Sequence, residues 1–212
     1  MYLTLEVRWF YPGPLPGRVL EALQARSCLP ALLPARRDHY LLLEGEPALG
    51  IKLREGNVEV KQRQEAPRQV EVGPGAVGWV ARWRKWSFPL VQGGAPNAAP
   101  LEHLLVPASA WVAVEKKRRL QRYRLGSGLQ ADSVPLEAPA QQGCEFELSR
   151  VWAGGEAWWS VCFEAFGPGP RLEQALLAVA AKVLEPGWPV ALEREQSFGY
   201  PAWLQNVAAA RS

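Results

Sequence analysis

The stretch GIKLREGNVEVKQRQ, residues 50–64, alternates charged and apolar residues over almost its whole length. The charged positions are Lys52, Arg54, Glu59, Lys61 and Arg63, and the positions between them are Ile51, Leu53, Val58 and Val60. A period of two predicts β-strands, and Gly56 and Asn57 tolerate the positive φ of a tight turn. The stretch therefore predicts an antiparallel hairpin with one ionic face and one apolar face.

Ionic pairs at alternate positions recur along the chain. They are Glu6/Arg8, Lys52/Arg54, Lys61/Arg63, Arg82/Arg84, Lys117/Arg119 and Glu145/Glu147. Alternation predicts strands over residues 2–9, 36–45, 48–56, 57–64, 78–88, 111–126, 129–137, 144–150 and 158–167. Helical spacing of apolar residues predicts helices over 16–26, 171–185 and 197–208, and residues 89–100 are expected to form a loop.

These elements predict an α+β protein that is mainly β, because about eight antiparallel strands outnumber a few helices. Since no long polar or low-complexity stretch divides the 212 residues, one domain over residues 1–212 is expected. The ten tryptophans fit a core between a sheet and its covering elements, or aromatic platforms for bases or sugars.

The ionic strand faces have two interpretations. They form a solvated surface with cross-strand ion pairs, or they line the lumen of a closed barrel whose outer face is covered by helices and tryptophans. In a lumen, unpaired like charges would cost several kcal/mol per ion. A phosphate-rich anion would neutralise the basic groups, and Mg²⁺ or Mn²⁺ would bridge that anion to the carboxylates.

Composition excludes several other classes of function. The 24 basic and 21 acidic residues leave a net charge of +3, which is too small for a general nucleic-acid or membrane-surface argument. Three scattered cysteines and two histidines support neither a disulfide framework nor a histidine-rich metal site. The absence of a signal peptide and of a long apolar window predicts a cytoplasmic protein. No dinucleotide fingerprint, P-loop or nucleophile elbow is present.

The order of the motifs resembles the CYTH superfamily, the triphosphate tunnel metalloenzymes. The family's first strand, E-x-E-x-K, is similar to Thr4-Leu5-Glu6-Val7-Arg8, and its D-x-Y strand to Asp38-His39-Tyr40. Its basic strands resemble Lys52-Leu53-Arg54, Lys61-Gln62-Arg63 and Lys117-Arg118-Arg119. Its late E-x-E strand resembles Glu145-Phe146-Glu147, and its closing pattern resembles the helix at 171–185 and Tyr200-Pro201-Ala202-Trp203-Leu204.

The resemblance implies a closed eight-stranded antiparallel β-barrel, or tunnel, with a few covering helices. It implies catalytic roles for Glu6 and Glu147, and Mg or Mn held by Glu6, Glu145 and Glu147, with Glu164 as a further ligand. It implies phosphate binding by Arg8, Lys52, Arg54, Lys61, Arg63, Lys117 and Arg119, and the charged strand face at 78–88 adds Arg82 and Arg84 as candidates. Lys117 and Arg119 are preferred over Arg118 as the inward pair. Asp38 and Tyr40 either position a ligand or cap a strand end, and the cap is the preferred interpretation. Thr4 and Arg8 depart from the family's first glutamate and its lysine.

Three functional hypotheses follow. The first is a divalent-metal-dependent phosphohydrolase acting on inorganic triphosphate or a triphosphate-containing small molecule. The second is a barrel that binds a phosphate or polyphosphate but has lost turnover with Thr4. The third is a lipocalin-like barrel that holds an apolar ligand while its charges face water. A nucleic-acid partner, such as a 5′-triphosphorylated RNA end, has little support from a charge of +3.

Overall fold

The computed structural model describes residues 2–26, 28–89, 110–126, 128–184 and 187–209. The described strands are β1 Tyr2–Pro12, β2 Ala31–Leu32, β3 Arg36–Leu41, β4 Leu49–Arg54, β5 Asn57–Arg63, β6 Arg68–Gly73, β7 Ala76–Pro89, β8 Trp111–Leu125, β9 Ala131–Val134, β10 Gly143–Ala153 and β11 Glu156–Phe166. The described α-helices are α1 Gly17–Ala25, α2 Leu172–Val183 and α3 Tyr200–Ala209. The loop predicted over 89–100 lies outside the described residues except for Pro89.

Eight antiparallel strands close into a barrel. The hydrogen-bonded order is β1, β11, β10, β8, β3, β4, β5 and β7, and β7 then pairs with β1. Closure removes the exposed edges that an open sheet would leave. The predicted closed eight-stranded antiparallel barrel and the mainly-β class are therefore confirmed, whereas a single domain over 1–212 stays a prediction.

The hairpin predicted over residues 50–64 forms as expected. Strands β4 and β5 pair from Leu49–Gln62 to Arg54–Asn57. Both central residues of the turn have positive φ, 48° at Glu55 and 77° at Gly56, as a type I′ turn requires. That turn matches the right-handed twist of the strands, so the two ionic runs face the same side of the sheet.

The outer face of the barrel is covered by α1 and α2. Helix α2 buries an apolar stripe at helical spacing, consisting of Leu172, Ala175, Leu176, Val179, Ala180 and Val183. This stripe packs on the outward residues of β1, of which Val7 and Trp9 are fully buried. The outer apolar core therefore lies between the barrel wall and its helices.

Helix α3 closes one end of the barrel. Tyr200, Trp203, Leu204 and Val207 of this helix pack with Phe10, Tyr40, Val114 and Val151, which lie on the inner face of the strands. The Phe10 and Trp203 rings stack at 4.4 Å between centroids. The predicted passage through the barrel is consequently blocked at this end, and the aromatic cluster forms its floor.

Three strands differ from the expected pattern. Strand β6, which was not predicted, pairs only with β7, and β2 and β9 pair with β8 outside the closed ring. The strand expected over 129–137 is thus β9, which pairs with β8 outside the ring and is not one of the eight strands of the barrel. Among the described residues, no helix combines the length and the apolar character needed to cross a membrane.

Candidate functional site

The ionic strand faces meet inside the barrel. A cavity of about 220 Å³ opens there, and charged side chains dominate its wall. Eight basic and five acidic residues line it: Arg8, Arg36, Lys52, Arg54, Lys61, Lys85, Lys116 and Arg118, with Glu6, Glu59, Glu145, Glu147 and Glu164. The hypothesis of an apolar lumen with charges facing water is therefore wrong. Basic side chains outnumber acidic ones, so the wall favours an anion.

Three carboxylates form a row across neighbouring strands. Glu6 on β1 pairs in register with Glu164 on β11, and Glu164 pairs in register with Glu145 on β10. Like charges directly opposite each other repel, so the row needs cations. Lys61 Nζ lies 2.6 Å from Glu6 Oε2, and Lys85 pairs with Glu164.

The Glu145 end of the row is held by an arginine on β8. Arg122 Nη2 lies 2.6 Å from Glu145 Oε1, and Arg122 Nε donates to the same oxygen at 2.9 Å. Burial alone would raise the pKa of Glu6, but Lys61 and Arg8 outweigh it and hold that pKa at about 2. Glu6 is therefore ionised at neutral pH, and each carboxylate of the row is paired with a cation of this chain.

Glu147 lies between two arginines deeper in the lumen. Arg8 Nη1 donates to Glu147 Oε1 at 2.9 Å, and Arg118 Nη1 donates to Oε2 at 3.2 Å. Ser149 Oγ donates to Oε1 at 3.0 Å. Burial would raise the pKa of Glu147, yet the guanidinium groups of Arg8 and Arg118 lower it well below its usual range. Both oxygens of this carboxylate are thus committed to cations.

Arg8 bridges two of the predicted functional carboxylates. Besides Glu147, its Nε lies 3.6 Å from Glu6 Oε1, and its side chain is only 6% exposed. Its guanidinium also stacks over the Tyr200 ring at 4.9 Å. Two carboxylates and an aromatic ring therefore hold Arg8 in place, which suits a pre-organised anion contact.

A second buried network surrounds Asp38. Lys116 Nζ lies 2.9 Å from Asp38 Oδ2, and Arg36 Nε lies 3.2 Å from Oδ1. Lys116 also donates to the Tyr40 hydroxyl at 2.6 Å. Burial lowers the pKa of Lys116 well below its ordinary value, although Asp38 opposes this. The expectation that Asp38 caps a strand end is wrong, because its carboxylate is fully buried among cations.

Near the hairpin turn the lumen becomes more exposed. Glu59 forms two ion pairs: Lys52 Nζ lies 2.8 Å from its Oε2, and Arg54 Nη2 lies 2.5 Å from its Oε1. The Arg54 side chain is 30% exposed, compared with 2% for Lys116. The lumen is therefore exposed at its rim near Arg54 and buried at its floor near Lys116.

The structure brings together most of the residues that sequence reasoning placed at the site. Eight of them line the same cavity: Glu6, Arg8, Lys52, Arg54, Lys61, Glu145, Glu147 and Glu164. Arg63 shares its strand face with Lys61 but lines a neighbouring cavity beside Trp79 and Trp83. The roles assigned to these residues stay predictions.

Four predicted phosphate-binding residues lie outside the lumen. Arg82 pairs with Glu65 at 3.0 Å, Arg84 is exposed, Lys117 is exposed near Trp152, and Arg119 donates to the Pro30 carbonyl at 3.0 Å. A strand shows which residues share a face but not which face is inside, and a shift of one residue exchanges the two. On β7 the inner face carries Trp83 and Lys85, and on β8 it carries Lys116 and Arg118.

Sequence reasoning missed several cavity residues: Arg36, Glu59, Lys85, Lys116, Arg118 and Tyr200. A signal for two of them exists in the run Lys-Lys-Arg-Arg at 116–119, which offers basic residues on both strand faces. Val112 and Val114, which precede the run, belong to the floor cluster or pack against it. Lys116 and Arg118 lie on the same strand face as these valines, but only the structure shows that this face points inward.

The predicted metal ligands are occupied by basic side chains in this arrangement. Glu6, Glu145 and Glu147 each hold a lysine or arginine. Within the described ranges, no three His, Cys, Asp or Glu side chains are grouped as a metal site would require. Thr4, at the position of the family's first glutamate, offers a hydroxyl where a carboxylate would bind Mg²⁺ or Mn²⁺.

Comparison with known proteins gives structural likenesses only. No family model and no curated protein matches the chain. Solved structures that resemble it include a conserved hypothetical protein from Pyrococcus furiosus, with 14% identity, a TM-score of 0.45, and 94% of this chain and 98% of that chain covered. Another is the PH1819 protein from Pyrococcus horikoshii OT3, with 11% identity, a TM-score of 0.46, and 98% and 99% covered.

A third similar structure is HpAC1 from Hippeastrum, a proposed adenylyl cyclase described as having a dominant triphosphatase activity. It shares 13% identity with this chain at a TM-score of 0.43, and 98% of this chain and 96% of that chain are covered. Likenesses with TM-scores below 0.5 carry no conclusion about function.

Proposed function

We propose that the barrel binds a short oligophosphate, either inorganic triphosphate or the triphosphate of a small molecule, in its basic lumen. The observation that supports this most strongly is the excess of basic over acidic side chains around one partly enclosed cavity. Lysine and arginine bind phosphate oxygens through charge-assisted hydrogen bonds. The cavity volume of about 220 Å³ lies below the ~300–1,000 Å³ typical of sites for drug-sized ligands, which favours a compact anion.

The ion pairs of the lumen would serve as exchangeable contacts for that anion. Lys61, Lys85 and Arg118 each hold a carboxylate that is itself on the wall. A phosphate group entering between such partners would take hydrogen bonds from the cation while the carboxylate keeps part of its interaction. The cost of desolvating the cations is already included in the folded state, so binding would need little reorganisation.

Metal-dependent hydrolysis of the bound triphosphate is the second candidate. The row of Glu6, Glu164 and Glu145 favours it, because three carboxylates in lateral register are costly unless they have a use. In the described arrangement these carboxylates are occupied by Lys61, Lys85 and Arg122. Turnover with Mg²⁺ or Mn²⁺ would require the ligand to draw these cations away from the row.

Calorimetric titration of inorganic triphosphate in EDTA tests the binding proposal. Lys61→Gln should weaken binding about tenfold, because a hydrogen bond from a charged group contributes ~1.5–3 kcal/mol. The matched control is Lys117→Gln, since Lys117 is an exposed lysine on the outside of the same barrel. Equal affinities for the two variants, or no binding by the wild-type protein, would refute the proposal.

Phosphate release with added Mg²⁺ or Mn²⁺ separates the two candidates. If the barrel only binds, the wild-type protein releases no phosphate from triphosphate, ATP or thiamine triphosphate at either metal. If it hydrolyses, release depends on the metal and is lost in Glu6→Gln and Glu164→Gln. The second result would promote hydrolysis above simple binding.

A further inference from the structure

The closed end of the lumen carries a polar group that the fold leaves unused. The Tyr200 side chain is 8% exposed and lines the cavity, yet its hydroxyl has no hydrogen-bond partner among the described residues. A buried hydroxyl without a partner is destabilising. Such a group in a native protein needs an explanation, and a ligand atom in the cavity would supply one.

Two cations flank the same tyrosine. Lys116 Nζ lies 3.8 Å from the centre of the Tyr200 ring, and the Arg8 guanidinium carbon lies 4.9 Å from it. Both cations also line the cavity. The hydroxyl therefore shares its end of the lumen with two groups that bind anions.

The N-terminus of helix α3 is a third feature that favours an anion at this end of the lumen. Tyr200 and Pro201, its first two residues, line the cavity. Pro201 has no N–H and Trp203 donates its N–H to the Gly199 carbonyl at 3.0 Å, so this N-terminus contributes mainly the positive end of the helix dipole. Helix N-termini are common anion sites partly for this reason.

We propose that Tyr200, Arg8, Lys116 and the first turn of α3 form a subsite for the terminal phosphoryl group of the ligand. This inference rests on the proposed function and adds a polarity to it. The terminal phosphate enters first and stops at the floor, and the remaining phosphates extend toward the rim at Arg54. Any organic group then lies at the open end, beside Tyr2, which lines the cavity and is 57% exposed.

The Tyr200 hydroxyl suits the role of a donor. Burial raises its pKa, although Arg8 opposes this, so the hydroxyl keeps its proton throughout the neutral range. It can therefore donate a hydrogen bond to a phosphate oxygen. Removing the hydroxyl should weaken the binding of the ligand while leaving the packing of the Tyr200 ring intact.

Binding of pyrophosphate, triphosphate and tetraphosphate by calorimetry tests this polarity. Tyr200→Phe should lower the affinity about ten- to a hundredfold, as expected for one hydrogen bond to a charged group, and by the same factor for all three ligands. Arg54→Gln should cause a loss that grows with chain length. Tyr123→Phe is the control, because Tyr123 is buried in the outer core.

Thermal unfolding without ligand supplies a second readout. Because the Tyr200 hydroxyl has no protein partner, Tyr200→Phe should unfold at the same temperature as the wild-type protein or higher. Two results would overturn the proposed subsite. One is that Tyr200→Phe binds phosphates with the affinity of the wild-type protein; the other is that its loss of affinity grows with the length of the phosphate chain. No binding of any phosphate by the wild-type protein would instead overturn the proposed function.

Discussion

The barrel wall separates two interiors that are chemically opposite. On β1, Leu5, Val7 and Trp9 are 0–3% exposed and face the outer core, while Glu6 and Arg8 are 4% and 6% exposed and face the lumen. The outer core is stabilised by apolar area, which needs no particular partner. The lumen is stabilised only while each charge keeps a counter-charge. Exchange of partners, and hence ligand binding, belongs to the second interior.

Acid should distinguish the interiors most strongly. Burial would raise the pKa values of Glu6 and Asp38, but Lys61 and Lys116, respectively, lead the cations that hold both at about 2, below ordinary values of 4.5 and 3.8. Their contribution is therefore present above pH ~5 and is lost as the pH falls toward 2. At ~1.36 kcal/mol per pKa unit, the two groups account for about 6 kcal/mol.

Urea unfolding between pH 7 and pH 3 measures this loss. Glu6→Gln should flatten the pH dependence, because the titrating carboxyl is gone, whereas Glu195→Gln at an exposed position should not. A free energy of unfolding that stays constant from pH 5 to pH 3 would contradict the account of the lumen as a charge-stabilised interior.

Removing one lumen carboxylate should have the next largest effect. Glu147→Gln leaves Arg8 and Arg118 without their shared counter-charge, and breaking a buried pair from one side costs ~3–5 kcal/mol. Arg8 retains Glu6, so we expect a loss of about 3 kcal/mol in urea unfolding. The same variant should bind triphosphate more tightly, since one negative charge has left the wall.

The two readouts of Glu147→Gln must move in opposite directions. Weaker triphosphate binding together with lower stability would mean that Glu147 positions Arg8 and Arg118 for the ligand. The comparison would then need revision, because the carboxylate would be part of the binding contacts and not a competitor for them.

A substitution in the outer core should cost somewhat less and leave the ligand unaffected. Leu176 on α2 is 1% exposed, and Leu→Ala at such sites destabilises by ~2–5 kcal/mol. We expect about 2.5 kcal/mol for Leu176→Ala in urea unfolding, with triphosphate affinity and pH dependence unchanged. A large loss of affinity in this variant would show that the two interiors are mechanically coupled through the wall.

Much of the barrel was predictable because alternation is a local property. The runs at 50–64 and 144–150 each specify two strand faces, and the Glu-Gly-Asn turn specifies how the first run folds back. Lys52, Arg54 and Lys61 share one face of this hairpin because the short turn at Glu55 and Gly56 fixes the register of its two strands.

The inner face of β7 and β8 was not predictable in the same way. Both strands are long and carry basic residues on successive positions, so either face satisfies the pattern. The choice depends on partners from distant strands. Lys85 faces inward where Glu164 lies, and Lys116 faces inward where Asp38 lies.

The sequence by itself determined that ionic and apolar residues occupy opposite faces of antiparallel strands, because that alternation follows from the backbone of a strand. Only the tertiary structure decided which face encloses the lumen, that the carboxylates engage lysines and arginines, and that α3 closes one end with Tyr200. These outcomes depend on register and closure, which bring together side chains more than a hundred residues apart, such as Arg8 and Glu147.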